Sequence, residues 1–228
     1  EKAMADVRYC HPVDRYGERV HLAFGALWCF MVAGPQITVE AGSIPLAVIF
    51  LIRLPFLGRS LRTLLVQPLT LWLLAWIILQ FVSLLWTRST RDGLDAIDTL
   101  RFLACVPFLW PVIHRRGTLI GAMALGFLCG NLSQLAMQVG DWTGTEWLIH
   151  RGHFRNDRNG GWWPAVSGGE ILIAALGLHL PAALMGPTGT KRERVLRVIA
   201  TAGCIVTLLG IFASGTRGAW VGALGLIA

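Results

Sequence analysis

From about residue 20 to its last residue, the chain is a series of apolar runs, most of them nearly free of charge and close to the length that crosses a bilayer. A hydrocarbon core about 30 Å thick takes about 20 residues of helix at about 1.5 Å each. Inside it every backbone N–H and C=O must find a partner within the segment, so runs of this kind fold as helices. The pattern marks seven spans, at about 20–37, 42–57, 68–86, 99–113, 117–139, 164–186 and 195–213, and the start of an eighth near Arg217. Composition agrees: 54% of the 228 residues are hydrophobic and 14% charged, against about 45–50% and 25% in a soluble domain. The expected fold is all-α, a polytopic transmembrane helical bundle forming one domain over residues 1–228.

Residues 1–19 carry eight charges and no compact apolar stretch ahead of a cleavage site. They read as a polar tail and not as a signal peptide. Lysine and arginine in short loops set the orientation. Twelve fall on the side of the tail, including Arg59, Arg62, Arg115, Arg116 and the Lys191–Arg197 group, and seven on the other. The tail is therefore expected in the cytoplasm, and the loop 140–163 and Arg217 on the outer face. A net charge of +7 then reports topology and calls for no nucleic-acid partner; the partners it implies are membrane lipids. The five cysteines lie in the tail or in spans and form no CxxC pair, so neither a disulfide framework nor a cysteine metal site is expected. "GFLCG" (Gly126, Gly130) and "GAWVG" (Gly218, Gly222) have the spacing that lets helix backbones approach.

Two outer segments carry chemistry-bearing residues. In "TRSTRDGLDAIDTLRFL", Ser89 and Asp92 fit a capping box, and Leu94, Ile97 and Leu100 recur every three residues. A short amphipathic helix is expected there, lying on the membrane surface. Asp95 and Asp98 share a face, which serves either as an acid–base pair or as a solvated helix face. The loop 140–163, "GDWTGTEWLIHRGHFRNDRNGGWW", holds Arg151, His153, Arg155 and Arg158 among aromatic residues. Guanidinium groups hold phosphate oxygens bidentately, and aromatic faces suit sugar rings or acyl chains. These four are candidate substrate-binding residues. There is no dinucleotide fingerprint, no HExxH and no Walker loop, so soluble-nucleotide chemistry, a metalloprotease site and ATP-driven transport have no motif. No cofactor or metal is expected.

One arginine stands out in "FASGTRGAWVG". Arg217 lies between two apolar runs, where a lipid-facing sequence avoids charge, and small residues around it leave its guanidinium accessible. The segment "TLLGIFASGTRGAWVGALGLIA" resembles the start of the region shared by bacterial O-antigen ligases and O-antigen polymerases. There a span ends in a turn of the type [ST]-R-[GA], matched here by Thr216-Arg217-Gly218. The upstream "RGHFRNDRNGGWWPAVSGGEIL" is similar to their R-x-x-G-x-F-x-N-P-N segment at Arg151, Gly152, Phe154 and Asn156, with Asp157 where proline is usual. The resemblance implies a metal-independent inverting glycosyltransferase of the inner membrane, working on its periplasmic face. The donor would be a glycan on undecaprenyl diphosphate. The acceptor would be lipid A–core for a ligase, the first choice in lipopolysaccharide maturation, or another lipid-linked repeat for a polymerase. It implies that Arg217 is the catalytic group that grips the diphosphate, and that this chain is the N-terminal part of a longer protein of about 12 spans, whose essential histidine lies in the second half. A transporter or flippase is the competing class. Its intramembrane charges would be Arg53, with Glu170 and His179 in or near spans, a thin set for an ion relay.

Overall fold

The computed structural model describes residues 14–87, 89–91, 93–94, 105–143, 154–155, 158–159, 165–187 and 189–227. The helices are α1 (Arg15–Met31), α2 (Gln36–Arg53), α3 (Gly58–Leu65), α4 (Pro68–Ser83), α5 (Cys105–Leu109), α6 (Arg116–Thr143), α7 (Ala165–Met185), α8 (Lys191–Ser214) and α9 (Arg217–Ile227). Turns of 3-10 helix cover Leu54–Phe56, Leu84–Trp86 and Trp110–Arg115. The described residues are helical almost throughout; the exception is a ladder of two-residue strands, β1 (Phe154–Arg155) and β2 (Arg158–Asn159), paired antiparallel. The chain forms two compact units, Glu1–Ala26 with Ala41–Leu119, and Leu27–Glu40 with Ile120–Ala228.

Four helical stretches among the described residues are long and apolar enough to cross a membrane: Thr38–Phe56, Cys105–Met137, Gly168–Met185 and Glu193–Ser214. A fifth is added if Gly58–Leu65 and Thr70–Trp86, bent by 73° against each other, form one broken span. The protein is thus multi-pass, and the difference from seven has physical sources. α1 has 17 residues and begins with Arg15, Glu18 and Arg19, which shortens its apolar part and places the last residues of the expected tail inside a helix. The pair Arg115–Arg116, expected in a loop between two spans, lies within one helical stretch of 33 residues. The 3-10 turn Trp110–Arg115 joins α5 to α6, and its proline stands at the start of that turn, where a missing N–H breaks no bond. α9, at 11 residues, is apolar but shorter than a span. Of the surface helix expected in "TRSTRDGLDAIDTLRFL", ahead of the fourth span, Thr90, Arg91, Gly93 and Leu94 are helical, and the Gly93 N–H bonds the Ser89 carbonyl. Asp95 and Asp98 lie outside the described residues.

In the first unit, α4 is apolar on all sides and exposes Trp72, Trp76, Ile78 and Phe81, the surface a lipid-facing helix presents. The polar residues of this unit collect at one end. Arg53, the last residue of α2, is buried and paired with Asp14 beside the start of α1: Nη2 donates to Oδ2 at 2.7 Å and Nε to the same oxygen at 2.9 Å. Arg53 Nη1 also donates to His21 Nδ1 at 2.7 Å, which leaves the proton on Nε2 to bond the Phe108 carbonyl at 2.7 Å. His21 is therefore held as the neutral Nε2–H tautomer. Gly17 is bare because a Cβ there would overlap the Asp14 carboxylate.

The second unit is built on α7 and α8, which pack as an antiparallel pair, with α9 returning along α7. Leu172 and Leu176 of α7, Cys204 and Ile211 of α8, and Ala219 and Ala223 of α9 form its apolar centre. The link between α7 and α8 is tied at both ends. Thr190 and Glu193 form a capping box at the start of α8, and Arg197 donates to the Ala183 and Leu184 carbonyls that end α7. Inside the unit the Asn131 amide of α6 donates to the Thr207 hydroxyl of α8 at 2.8 Å, the kind of polar contact that joins helices in lipid.

The "GFLCG" spacing does what the sequence suggests: Gly126 and Gly130 of α6 lie against the backbone at Phe30 and Ala33. Gly126→Ala would drive a methyl group into the Phe30 carbonyl, and overpacking of this kind costs about 1–3 kcal/mol. At Gly121, on the same helix, an added Cβ would meet nothing within 4 Å, so Gly121→Ala should gain about 0.5–1 kcal/mol from helix propensity. Unfolding midpoints of the two variants in detergent should move in opposite directions; a common direction would remove the close backbone approach.

Candidate functional site

α8 ends and α9 begins within three residues, Ser214, Gly215 and Thr216. Gly215 has φ 60°, the left-handed conformation that ends a helix and that side chains disfavour. Its N–H bonds the Phe212 carbonyl. Ser214 is fully buried; its hydroxyl donates to the Ile211 carbonyl at 2.9 Å and accepts the Thr216 N–H at 3.3 Å. One hydroxyl thus joins the last turn of α8 to the entry of α9. The Thr216 carbonyl then accepts the N–H groups of Ala219 and Trp220 and starts α9.

Arg217 is the first residue of α9 and is exposed. No hydrogen bond or ion pair engages its guanidinium among the described residues. The N–H groups of Thr216, Ala219 and Trp220 are bonded, which leaves those of Arg217 and Gly218 without an acceptor inside the helix, and the backbone dipoles sum to positive partial charge at that end. A guanidinium unpaired among the described residues and a helix N-terminus therefore coincide at one residue. Phe212 and Trp220 flank the turn with ring centroids 5.5 Å apart. Both are exposed, as apolar side chains at a membrane boundary are.

The start of α7 lies beside this turn: a Cβ at Gly169 would stand 3.0 Å from Thr216 Cγ2 and 3.1 Å from Ala219 Cβ. Of the segment 151–164 that leads into α7, Phe154–Arg155 and Arg158–Asn159 are described. In that segment the ladder pairs Arg155 with Arg158, and β2 lies against α8. Arg151 and His153 lie outside the described residues, as does most of the loop expected at 140–163, whose first residues, to Thr143, belong to α6.

Of the other ionisable groups of the transporter reading, Arg53 and His179 fall elsewhere. Arg53 is not a charge in mid-span but the paired end of α2. Glu170 is exposed one residue after Gly169. His179 is buried, with Nδ1 2.8 Å from the Ala175 carbonyl and Nε2 3.1 Å from the Ala124 carbonyl. Among the described residues no three His, Cys, Asp or Glu side chains are grouped to hold a metal ion. The Asp14–Arg53–His21 cluster is the main feature that sequence reasoning missed. Its one signal is an acidic residue just before the first apolar run.

Comparison with protein-family models, with curated proteins and with solved structures finds no match.

Proposed function

We propose that the chain carries the donor site of a periplasmic-face glycosyltransferase of the O-antigen ligase type. It would pass glycan from undecaprenyl diphosphate to lipid A–core, in an inner membrane crossed several times with the tail in the cytoplasm. The observation that carries the reading is Arg217, exposed at the N-terminus of α9 and unpaired among the described residues. Positive charge, a planar fork and unpaired N–H groups in one place fit a diphosphate. In glycan transfer the diphosphate is the leaving group, so a grip that tightens as its charge develops lowers the barrier.

The segment with Arg151, His153, Arg155 and Arg158 supplies the further donor contacts. The glycan bond breaks at its anomeric carbon, the acceptor hydroxyl attacks from the opposite face, and undecaprenyl diphosphate departs; no metal or cofactor takes part.

The test is transfer by the full-length protein in proteoliposomes given lipid-linked glycan and lipid A–core. Glycan on lipid A–core supports the ligase reading. Lengthened lipid-linked glycan with no ligated product would favour the polymerase. Donor crossing sealed vesicles without any glycosyl product would overturn both in favour of a flippase.

A further inference from the structure

Three stretches far apart in sequence meet at one end of the first unit. Asp14 and His21 hold Arg53. The His114 Nε2 lies 3.0 Å from Glu18 Oε1. The Trp110 indole N–H donates to the Ser60 carbonyl at 3.0 Å and lies 3.1 Å from the Thr63 hydroxyl. Around these contacts six arginines are exposed: Arg15, Arg19, Arg59, Arg62, Arg115 and Arg116. Asp14 and Glu18, the acidic residues described at this end, are both engaged with groups of the cluster. Among the described residues, the surface that results is cationic.

Its second character is apolar. α3 turns Ser60, Thr63 and Leu64 inward and leaves Arg59 and Arg62 exposed. Leu54 and Phe56 before it, and Leu65 and Val66 at its end, are exposed as well. Arginines interleaved with exposed apolar side chains suit the boundary between headgroups and acyl chains. A soluble polyanion such as a nucleic acid would meet the charges and leave the apolar residues in water.

We propose that this end of the first unit is a binding site for anionic phospholipid, with α3 as its interfacial helix. Arg59, Arg62, Arg115 and Arg116 hold the headgroup phosphate, and Leu65 and Val66 meet the acyl chains. The general bias of basic residues toward the cytoplasm explains on which side they lie. It does not explain why three separate stretches are folded into one cationic, apolar-rimmed surface. The site is distinct from the Arg217 turn and does not rest on the glycosyltransferase reading.

The test is native mass spectrometry of the full-length protein in a neutral detergent, titrated with phosphatidylglycerol or phosphatidylcholine of the same acyl chains. Wild type should retain phosphatidylglycerol and lose phosphatidylcholine. Each arginine near a charged surface is worth roughly fivefold in affinity, so Arg59→Gln with Arg62→Gln should weaken phosphatidylglycerol about thirtyfold. Arg115→Gln with Arg116→Gln is read in parallel, so that a folding defect in one pair leaves the other to decide. Lys191→Gln with Arg194→Gln, in the second unit, should match wild type. Equal retention of the two lipids overturns the proposal, as does wild-type affinity in both arginine pairs. So does displacement of the lipid by millimolar inorganic phosphate, which would mark a phosphate site without acyl contact, or by short RNA, which would mark a polyanion surface.

Discussion

Arg217→Ala should abolish glycan transfer while leaving folded protein abundant in the membrane. The side chain is exposed and has no partner among the described residues, so its loss opens no cavity and orphans none of them. Removing one donor to developing charge typically costs roughly 2.7–4 kcal/mol, or about 10²–10³ in rate. Arg217→Lys separates the two roles an arginine has at this place. An ammonium keeps the charge but cannot present a planar fork to two phosphate oxygens, so the lysine variant should fail or be badly impaired. An arginine that only reaches for headgroups along its apolar stem would accept lysine without loss. The measurement is ligated lipopolysaccharide on a gel, from a ligase-null strain complemented with each variant at matched protein level. Full laddering from the lysine variant would return Arg217 to the role of a membrane anchor.

The second large effect is on stability. Arg53→Met should cost about 3–5 kcal/mol, because it leaves the Asp14 carboxylate buried without a cation. It also removes the donor to His21 Nδ1. Arg53→Lys should recover only part of this, since one ammonium cannot serve both the carboxylate and the imidazole in this geometry. The double change Arg53→Met with Asp14→Leu should be far milder than Arg53→Met alone, because apolar replacement of a whole buried pair is often neutral or better. Unfolding in graded denaturing detergent, followed by tryptophan fluorescence, reads all three. If Arg53→Met unfolds at the wild-type midpoint, the cluster contributes nothing to holding α1 against α2.

The helical class was legible because lipid leaves a chain no alternative: long apolar runs must satisfy their own backbone. The number of crossings was less so. Arg115 and Arg116 look like a loop, yet a 3-10 turn carries the helix through them, and nothing in the hydropathy distinguishes a charged bend from a break. Arg53 looked like a lone charge inside a span because its partner lies 39 residues earlier, and no local period encodes a pair at that separation. The turn at Gly215 was the opposite case. A glycine between a serine and a threonine, ahead of an arginine, is a local signal, and the left-handed backbone and the helix start follow from it directly. The capping box Thr190–Glu193 is equally local, a threonine three residues ahead of a glutamate inside a run of basic residues. The meeting of Gly169 with Thr216 and Ala219 needed the tertiary structure, since it depends on α7 packing against the α8–α9 turn.

The buried hydroxyl of Ser214 has a consequence for how a ligand would meet this end of the protein. It bonds the end of one helix and the entry of the next at once, so the two cannot swing apart without losing the Thr216 N–H bond in a place closed to water. The turn is fixed before any anion arrives. An anion docking there would not have to order the backbone first, and the entropy of association would fall on the arginine side chain and on the ligand alone. Ligand recognition at Arg217 would then resemble closing a hand on a rigid handle: fast to register, and with discrimination set by the shape of the phosphate oxygens against N–H groups that do not move.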